Sequence, residues 1–303
     1  MRRLSLPENS ALPQRDLHHQ SGDDLTASRD IDGAYDLGQP REDALDDDAA
    51  NEPTSRDELA TLWRGAWPAL TDEQIGLLIG YRDALRERNL HVNLTAVRDY
   101  PGIERRLILE SLRLLPALEE RIRQGNRVLD IGTGGGLPGM VLAISRPDLQ
   151  FTLMDATGKK VQFVQDAAQQ LGLDNVRPLH GRAEEIARDT GHRGQYRVAV
   201  ARAVSSLPTL IELGLPFVML GGYLVLPKGI DLNDELLAAE KAGKLVGGNV
   251  VDASILPDVG SSVETRLVVI EKVAPTPKTY PRRTGLPAHS PLGIAEKPER
   301  SKR

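Results

Sequence analysis

The sequence predicts an α/β protein: a mainly parallel, doubly wound sheet behind a helical N-terminal subdomain. Three observations carry that prediction. Short apolar runs alternate with helical stretches from Arg127 to Lys272. The glycine-dense turn VLDIGTGGGLPG, Val128 to Gly139, follows directly on the first of these runs. Two segments of helical period precede it. Apolar strands separated by helices are buried on both faces, as in a parallel sheet covered by helices on either side.

Residues 1–55 are rich in Asp, Ser, Pro and Gly and culminate in REDALDDDAANEPTSRDE, without any sustained period. Such a segment buries too little apolar surface to offset its ordering entropy, so an acidic disordered extension is expected. Helical signals begin near Glu58 and strengthen at Thr71, where T-D-E-Q makes a capping box before Ile75, Leu78, Ile79 and Leu85. That helix is expected to stop near Asn89. A second amphipathic stretch, IERRLILESLRLLPAL, reads as a helix over 103–118, and residues 56–120 together form a helical cap. Trp63 and Trp67, four apart, fit packing inside it.

From 121 to 274 the expected order is RVLDIG, a helix from about Pro138, FTLMDA, KKVQFVQDAAQQLG, VRPLHG, AEEIARD, YRVAVARAV, a helix over 207–217, GGYLVLPKG, DELLAAEKAG, VVDASILP and ETRLVVIEK. Gly172 stands where a helix C-cap glycine is expected, with Leu173 as the flanking apolar residue. The last two strands, joined by DVGSSVE, are expected to pair antiparallel at one edge. Residues 275–303 hold six prolines and seven Lys or Arg against two Glu, and read as an irregular basic tail.

Composition excludes several classes. The chain of 303 residues has no cysteine, which removes disulfides and thiolate metal sites and fits a reducing cytoplasmic compartment. Its six histidines are scattered, so no metal site is expected. No apolar run is long enough for a membrane span or a signal peptide, so no membrane association is expected. The net charge of −5 conceals a division: residues 1–58 carry 15 acidic and 6 basic side chains, a net of −9, while the remainder is +4.

The turn G-G-G-L-P-G from Gly134 is a literal G-x-G-x-x-G, the pattern associated with dinucleotide pyrophosphates. Ligands of open parallel sheets lie beyond the strands' carboxyl ends, a rim that here carries Asp130, Asp155, Gly181 to Glu184, Arg202 and Lys228. Asp155, 21 residues after Gly134, stands where a carboxylate accepts from ribose hydroxyls, which NAD and S-adenosylmethionine both carry. Asp130 separates them. It would repel a pyrophosphate and attract a sulfonium or an α-ammonium, so the order Asp130-Ile131-Gly132-Thr133-Gly134 favours S-adenosylmethionine.

With these residues in place, the chain resembles the RsmG/GidB family, bacterial methyltransferases that modify N7 of a guanine in 16S ribosomal RNA. The resemblance runs from about Thr71 to Leu292 through HVNLTAVRD, RRLILESL, VLDIGTGGGLPGMVLAI, LMDATGKKVQFV, GRAEE, ARAVSSLPTL and LPKG, and includes YPRRTGLPAHSPLG. It implies a class I methyltransferase fold, Rossmann-like with a seven-stranded sheet, and 16S rRNA as substrate within a small-subunit ribosomal particle. It further implies cofactor contacts at Gly132, Leu137, Ala183, Glu184 and Arg202, with Asp155, Ala156 and Thr157 holding the ribose. The chain departs from the family at RRLILES, where Leu107 and Glu110 stand in place of a histidine and an aspartate.

Guanine N7 has an in-plane lone pair and needs no general base, so no catalytic triad is sought and orientation should supply the rate. Arg202 and Lys228 are the candidates for positioning guanine or RNA phosphate at the rim. Arg106, Lys159, Lys160, Arg282 and Arg283 are the candidates for RNA contact. Asn93 is expected to hold the connection between cap and sheet, and His91 and His180 to be structural or solvated. Two alternatives stand beside this reading: a non-catalytic RNA-binding assembly factor, and an NAD-dependent oxidoreductase that Asp130 disfavours.

Overall fold

The structure, a computed structural model, describes residues 52–202, 205–261 and 263–294. Of the acidic extension expected over 1–55, residues 1–51 lie outside the described residues, as does the end of the basic tail, while Thr54 is held by a hydrogen bond to the Glu104 carboxylate.

Strands β1 (Arg127–Ile131), β2 (Gln150–Asp155), β3 (Val176–His180), β4 (Tyr196–Val200), β5 (Val218–Lys228), β6 (Gly248–Ile255) and β7 (Arg266–Lys272) form one seven-stranded sheet in the order β3-β2-β1-β4-β5-β7-β6. The first five are parallel; β7 inserts antiparallel between β5 and β6. The strand order reverses direction at β1 and β4, so the turn after β1 opens at the crevice where such sheets bind ligands. Alternate residues point to opposite faces. Val128, Val198 and Val225 enter one apolar core, and Leu129, Ala199 and Leu224 enter the other.

The first core is shared with the N-terminal helices α1 (Arg56–Ala66) and α2 (Asp72–Asn89), and with α6 (Gly139–Ser145) and α7 (Gly158–Gln170). Cap and sheet therefore fold around common apolar side chains. Ser55 and Thr71 both make capping boxes, with Glu58 and Gln74. Trp63 is buried, and its indole donates to the Glu104 carbonyl at 3.3 Å. At the end of α7, Gly172 has φ +67° and the Leu173 amide donates to the Ala168 carbonyl at 2.9 Å, the C-cap expected there.

The stretch 103–118 is not one α-helix. A short α3 (Tyr100–Gly102) leads into a π-helix, Ile103–Leu109, then α4 (Glu110–Leu112) and, after a break, α5 (Leu115–Glu119). Its inner face carries charge that an apolar helix would not: Glu104 is buried against Arg82 at 2.7 Å, and Glu110 against Arg113 at 2.7 Å. Ser111 Oγ also bonds back to the Leu107 carbonyl at 2.7 Å, a contact that competes with regular helix geometry.

On the second face lie α8 (Ala183–Ile186), α9 (Leu207–Gly214) with a 3₁₀ turn Leu215–Phe217, and α10 (Asn233–Val246). The C-terminal segment, expected to be an irregular tail, is anchored there and contains the short α11 (Leu286–His289). Arg193 donates to the carbonyls of Thr276 and Tyr280, and Thr209 to that of Pro287. No helix among the described residues is long and apolar enough to cross a membrane.

Candidate cofactor cleft

The turn after β1 is pinned from beneath by two carboxylates. Asp155, at the end of β2, accepts the Gly134 amide at 2.9 Å through Oδ2 and the Thr157 amide at 2.8 Å through Oδ1. The spacing of 21 read from the sequence is thus a direct hydrogen bond between strand end and loop. Asp130, at the end of β1, accepts Thr133 Oγ1 at 2.6 Å and the Gly139 amide at 2.8 Å, both through Oδ2. Its Oδ1 is buried and has no hydrogen-bond partner among the described residues. Burial pushes its carboxyl up to about 6, against the lowering effect of those hydrogen bonds and of Arg202.

Asp130 is therefore wholly buried against the turn and does not reach the surface. An ionised carboxylate with one orphan oxygen in a water-excluded position is unfavourable by itself and favours a cation overhead. Gly132, Gly134 and Gly136 have φ of +68°, +58° and +92°, conformations that side-chain-bearing residues rarely adopt. Bare backbone, a buried negative charge and the half-satisfied Asp155 together fit the cationic, ribose-bearing S-adenosylmethionine.

The remaining predicted contacts surround this loop. Leu137 is buried at its end, and Ala156 and Thr157 are exposed after β2. His180 Nε2 bonds the Ala156 carbonyl at 3.1 Å, a structural role that holds the β2 and β3 ends together. Ala183 and Glu184 open α8 beyond β3; Glu184 accepts the Gly285 amide at 2.9 Å through Oε1.

Arg202, just after β4, is half-buried and donates through Nη1 to the Leu107 carbonyl at 3.2 Å and Ser111 Oγ at 3.3 Å. Burial lowers its pKa, opposed by Tyr81, Asp130 and Glu110. It joins the sheet rim to the π-helix. Lys228, at the end of β5, is turned inward: its Nζ donates to the Ser205 carbonyl at 2.9 Å and lies 3.5 Å from Glu235. Burial lowers its pKa as well, against the raising effect of Glu235.

The predicted RNA cations divide. Arg106, Lys159 and Arg283 are exposed, and Lys160 is half-exposed beside Lys159 in the first turn of α7. Arg282 does not belong with them. Its guanidinium forks onto Glu212, a wholly buried carboxylate, with bonds of 2.6 and 2.9 Å, and its amide donates to the same group at 2.8 Å. A buried carboxylate on α9 requires such a partner, so Arg282 anchors the C-terminal segment.

The structure also moves a role from Asn93 to Asn89. Asn89 Oδ1 accepts the amides of Leu94 and Thr95 at 2.8 and 3.0 Å, while its Nδ2 donates to the carbonyls of Thr95 and Val97. Asn93 is exposed on the loop so held. That loop borders the glycine turn, because a Cβ on Gly134 would meet the Leu94 carbonyl at 3.6 Å. Tyr81, not singled out from the sequence, donates to the Gly135 carbonyl at 2.6 Å. Its position on the apolar stripe Ile75, Leu78, Tyr81, Leu85 was the available signal, since a buried phenol needs an acceptor.

The profile of the family GidB, rRNA small subunit methyltransferase G, matches residues 74–257. The ribosomal RNA small subunit methyltransferase G of Moorella thermoacetica is 41% identical over 234 residues, 77% of this chain and 97% of that one. The proteins of the same name from Roseiflexus castenholzii and Deinococcus deserti are 40% and 44% identical over 236 and 210 residues. These alignments cover 78% and 69% of this chain, and 99% and 84% of theirs.

Proposed function

The chain belongs to the rRNA small subunit methyltransferase G family, and from that premise we propose that it methylates N7 of a guanine in 16S ribosomal RNA with S-adenosylmethionine as donor. The observation that carries the reading is the glycine loop held over the buried, half-partnered Asp130 and tied to Asp155. S-adenosylmethionine, when bound, supplies an electrophilic methyl group on a sulfonium.

Asp155 is positioned to accept from the ribose, with lone pairs left after its two amide bonds. Glu184 has one oxygen on the Gly285 amide and keeps the other for a donor of the cofactor. Asp130 favours the donor's positive charge from beneath. None of these residues removes a proton, because the N7 lone pair attacks directly. The protein's contribution is alignment, which supplies several kcal/mol when reacting groups are held in line.

Exposed Arg106, Lys159 and Arg283, with half-exposed Lys160, support a phosphate-facing surface, and exposed Asn93 beside the loop supports a contact to the target nucleotide. A net of only +4 over residues 59–303 favours RNA already presented in a small-subunit particle over naked RNA. Mapping N7-methylguanine in 16S rRNA by chemical cleavage, in cells with and without the gene, tests the proposal. Methylation that persists unchanged after deletion refutes it. With purified protein, Asn93→Ala should raise the RNA KM while leaving S-adenosylhomocysteine affinity by calorimetry unchanged.

A further inference from the structure

The glycine loop has an outer side as well as an underside, and the N-terminal cap forms it. Tyr81 Oη, wholly buried on α2, donates to the Gly135 carbonyl at 2.6 Å. A Cβ on Gly135 would come within 2.7 Å of Leu85 Cδ1 and 3.3 Å of Leu94 Cβ. One on Gly136 would come within 3.2 Å of Tyr81 Oη. A side chain at Gly135 would therefore crowd the cap, displacing Leu85 and the Leu94 loop, independently of any ligand.

The loop's amides are almost all engaged. Thr133 donates to the Met154 carbonyl, Gly134 to Asp155, and Gly136 and Leu137 to the Thr133 carbonyl. Between Thr133 and Leu137 only the Gly135 amide has no acceptor among the described residues. The peptide that follows it is held at both ends, its carbonyl by Tyr81 and its amide by the Thr133 carbonyl.

We propose that Tyr81 is a positioning residue for cofactor binding: its hydroxyl and the Thr133 carbonyl fix the Gly135–Gly136 peptide while Asp155 holds the Gly134 amide, and between these two anchors the Gly135 amide is kept as a pre-set donor for the ligand's carboxylate. The proposal rests on the reading of this loop as the S-adenosylmethionine cradle. A pre-set donor binds without an ordering cost, so freeing it weakens affinity without altering the ligand's other contacts. Burial also raises the phenol's pKa, so the hydroxyl remains a donor throughout the physiological range.

The test compares Tyr81→Phe with Tyr196→Phe in the full-length protein. Tyr196 is equally buried, and its hydroxyl bonds His192 at 2.7 Å at the start of β4, the end of the sheet away from the loop. Titration calorimetry with S-adenosylhomocysteine should show Kd raised about tenfold for Tyr81→Phe and unchanged for Tyr196→Phe, as expected for loss of a buried neutral hydrogen bond. The cofactor KM should rise while the RNA KM holds. Equal Kd in both variants and the wild type, with thermal stability lowered in both, overturns the role of Tyr81. Failure of the wild type to bind S-adenosylhomocysteine overturns the cofactor reading, and the proposal falls with it. Should Tyr81→Phe bind too weakly for calorimetry, exchange of ¹⁵N-glycine amides decides. Faster exchange at Gly136 together with loss of the protection that S-adenosylhomocysteine gives the Gly135 amide in the wild type supports the proposal; unchanged exchange, or Gly135 still protected by S-adenosylhomocysteine, overturns it.

Discussion

Asp130→Asn should make the ligand-free protein more stable while weakening its cofactor site. The native carboxyl is buried, with its pKa raised from 3.8 to about 6. A raised carboxyl pKa means that the folded state holds the proton more tightly than the unfolded chain. Below pH 3.8 both states are protonated and the group costs nothing. As pH rises through the interval up to 6 the unfolded chain ionises first, and stability is lost. At pH 7.5 the loss is about 3 kcal/mol, from two pKa units at about 1.4 kcal/mol each. At pH 5 it is roughly half that.

The amide in Asp130→Asn keeps an oxygen for Thr133 and Gly139 and removes the buried charge, but it puts an unpaired N–H₂ where Oδ1 stood. That group costs about 1 kcal/mol or more, leaving a net gain of about 1–2 kcal/mol at pH 7.5. Urea unfolding at pH 7.5 and pH 5 reads the difference. The advantage of the variant should shrink by about 1.5 kcal/mol at the lower pH. A variant no more stable than wild type at pH 7.5, with a difference independent of pH, would refute the argument that Asp130 is a destabilising charge retained for a ligand.

Arg282→Gln strands Glu212 without its cation and should cost about 3 kcal/mol in urea unfolding, as for a broken buried ion pair. Arg283→Gln, one residue on and exposed, should leave stability within about 0.5 kcal/mol and lower the salt slope of RNA binding by about one. Buried Lys272, with its Nζ on the Leu215 and Val246 carbonyls and Thr276 Oγ1, is pushed down to about 7 by burial. Its folded pKa lies below the unfolded one, so stability should rise as pH increases from 7 toward 10. Thermal unfolding of Lys272→Met across that range should lose the rise.

Much of the fold was legible because its signals are local. Capping boxes at Thr71, the C-cap at Gly172 and the apolar strands depend on residues a few positions apart. The place of Asp155 at the end of the second strand was legible too, but its bond to the Gly134 amide, 21 residues away, was not. Nor were partnerships across longer separations. Arg282 and Glu212 stand 70 residues apart, Arg202 and the Leu107 carbonyl 95, and Tyr81 and the Gly135 carbonyl 54. A sequence shows an arginine in a basic tail without showing that a carboxylate in the apolar stretch LIELGLP awaits it. That carboxylate was itself a usable signal, because Glu in a fully buried helix rarely stands alone. The assignment to Asn93 failed for a different reason: Asn89 and Asn93 are both plausible turn residues, and only the path of the loop decides between them.

The charge balance of the cleft leads to one further prediction. S-adenosylmethionine carries a sulfonium that S-adenosylhomocysteine lacks, so the donor is one charge more positive than the product left after methyl transfer. A buried carboxylate that cannot be screened by water acts on that difference more than on any shared contact. Asp130 should therefore discriminate donor from product and lose its hold on the product once the methyl has left. In wild type at pH 7.5, where Asp130 is ionised, the Kd ratio of product to donor should exceed the ratio in Asp130→Asn by about tenfold, equivalent to roughly 1.4 kcal/mol. At pH 5 the carboxyl is protonated in the free protein and the two ratios should converge. Calorimetry at both pH values measures all four constants without any turnover. Ratios that agree at pH 7.5 would show that the charge beneath the loop does not reach the sulfonium, and would confine Asp130 to holding the turn onto α6.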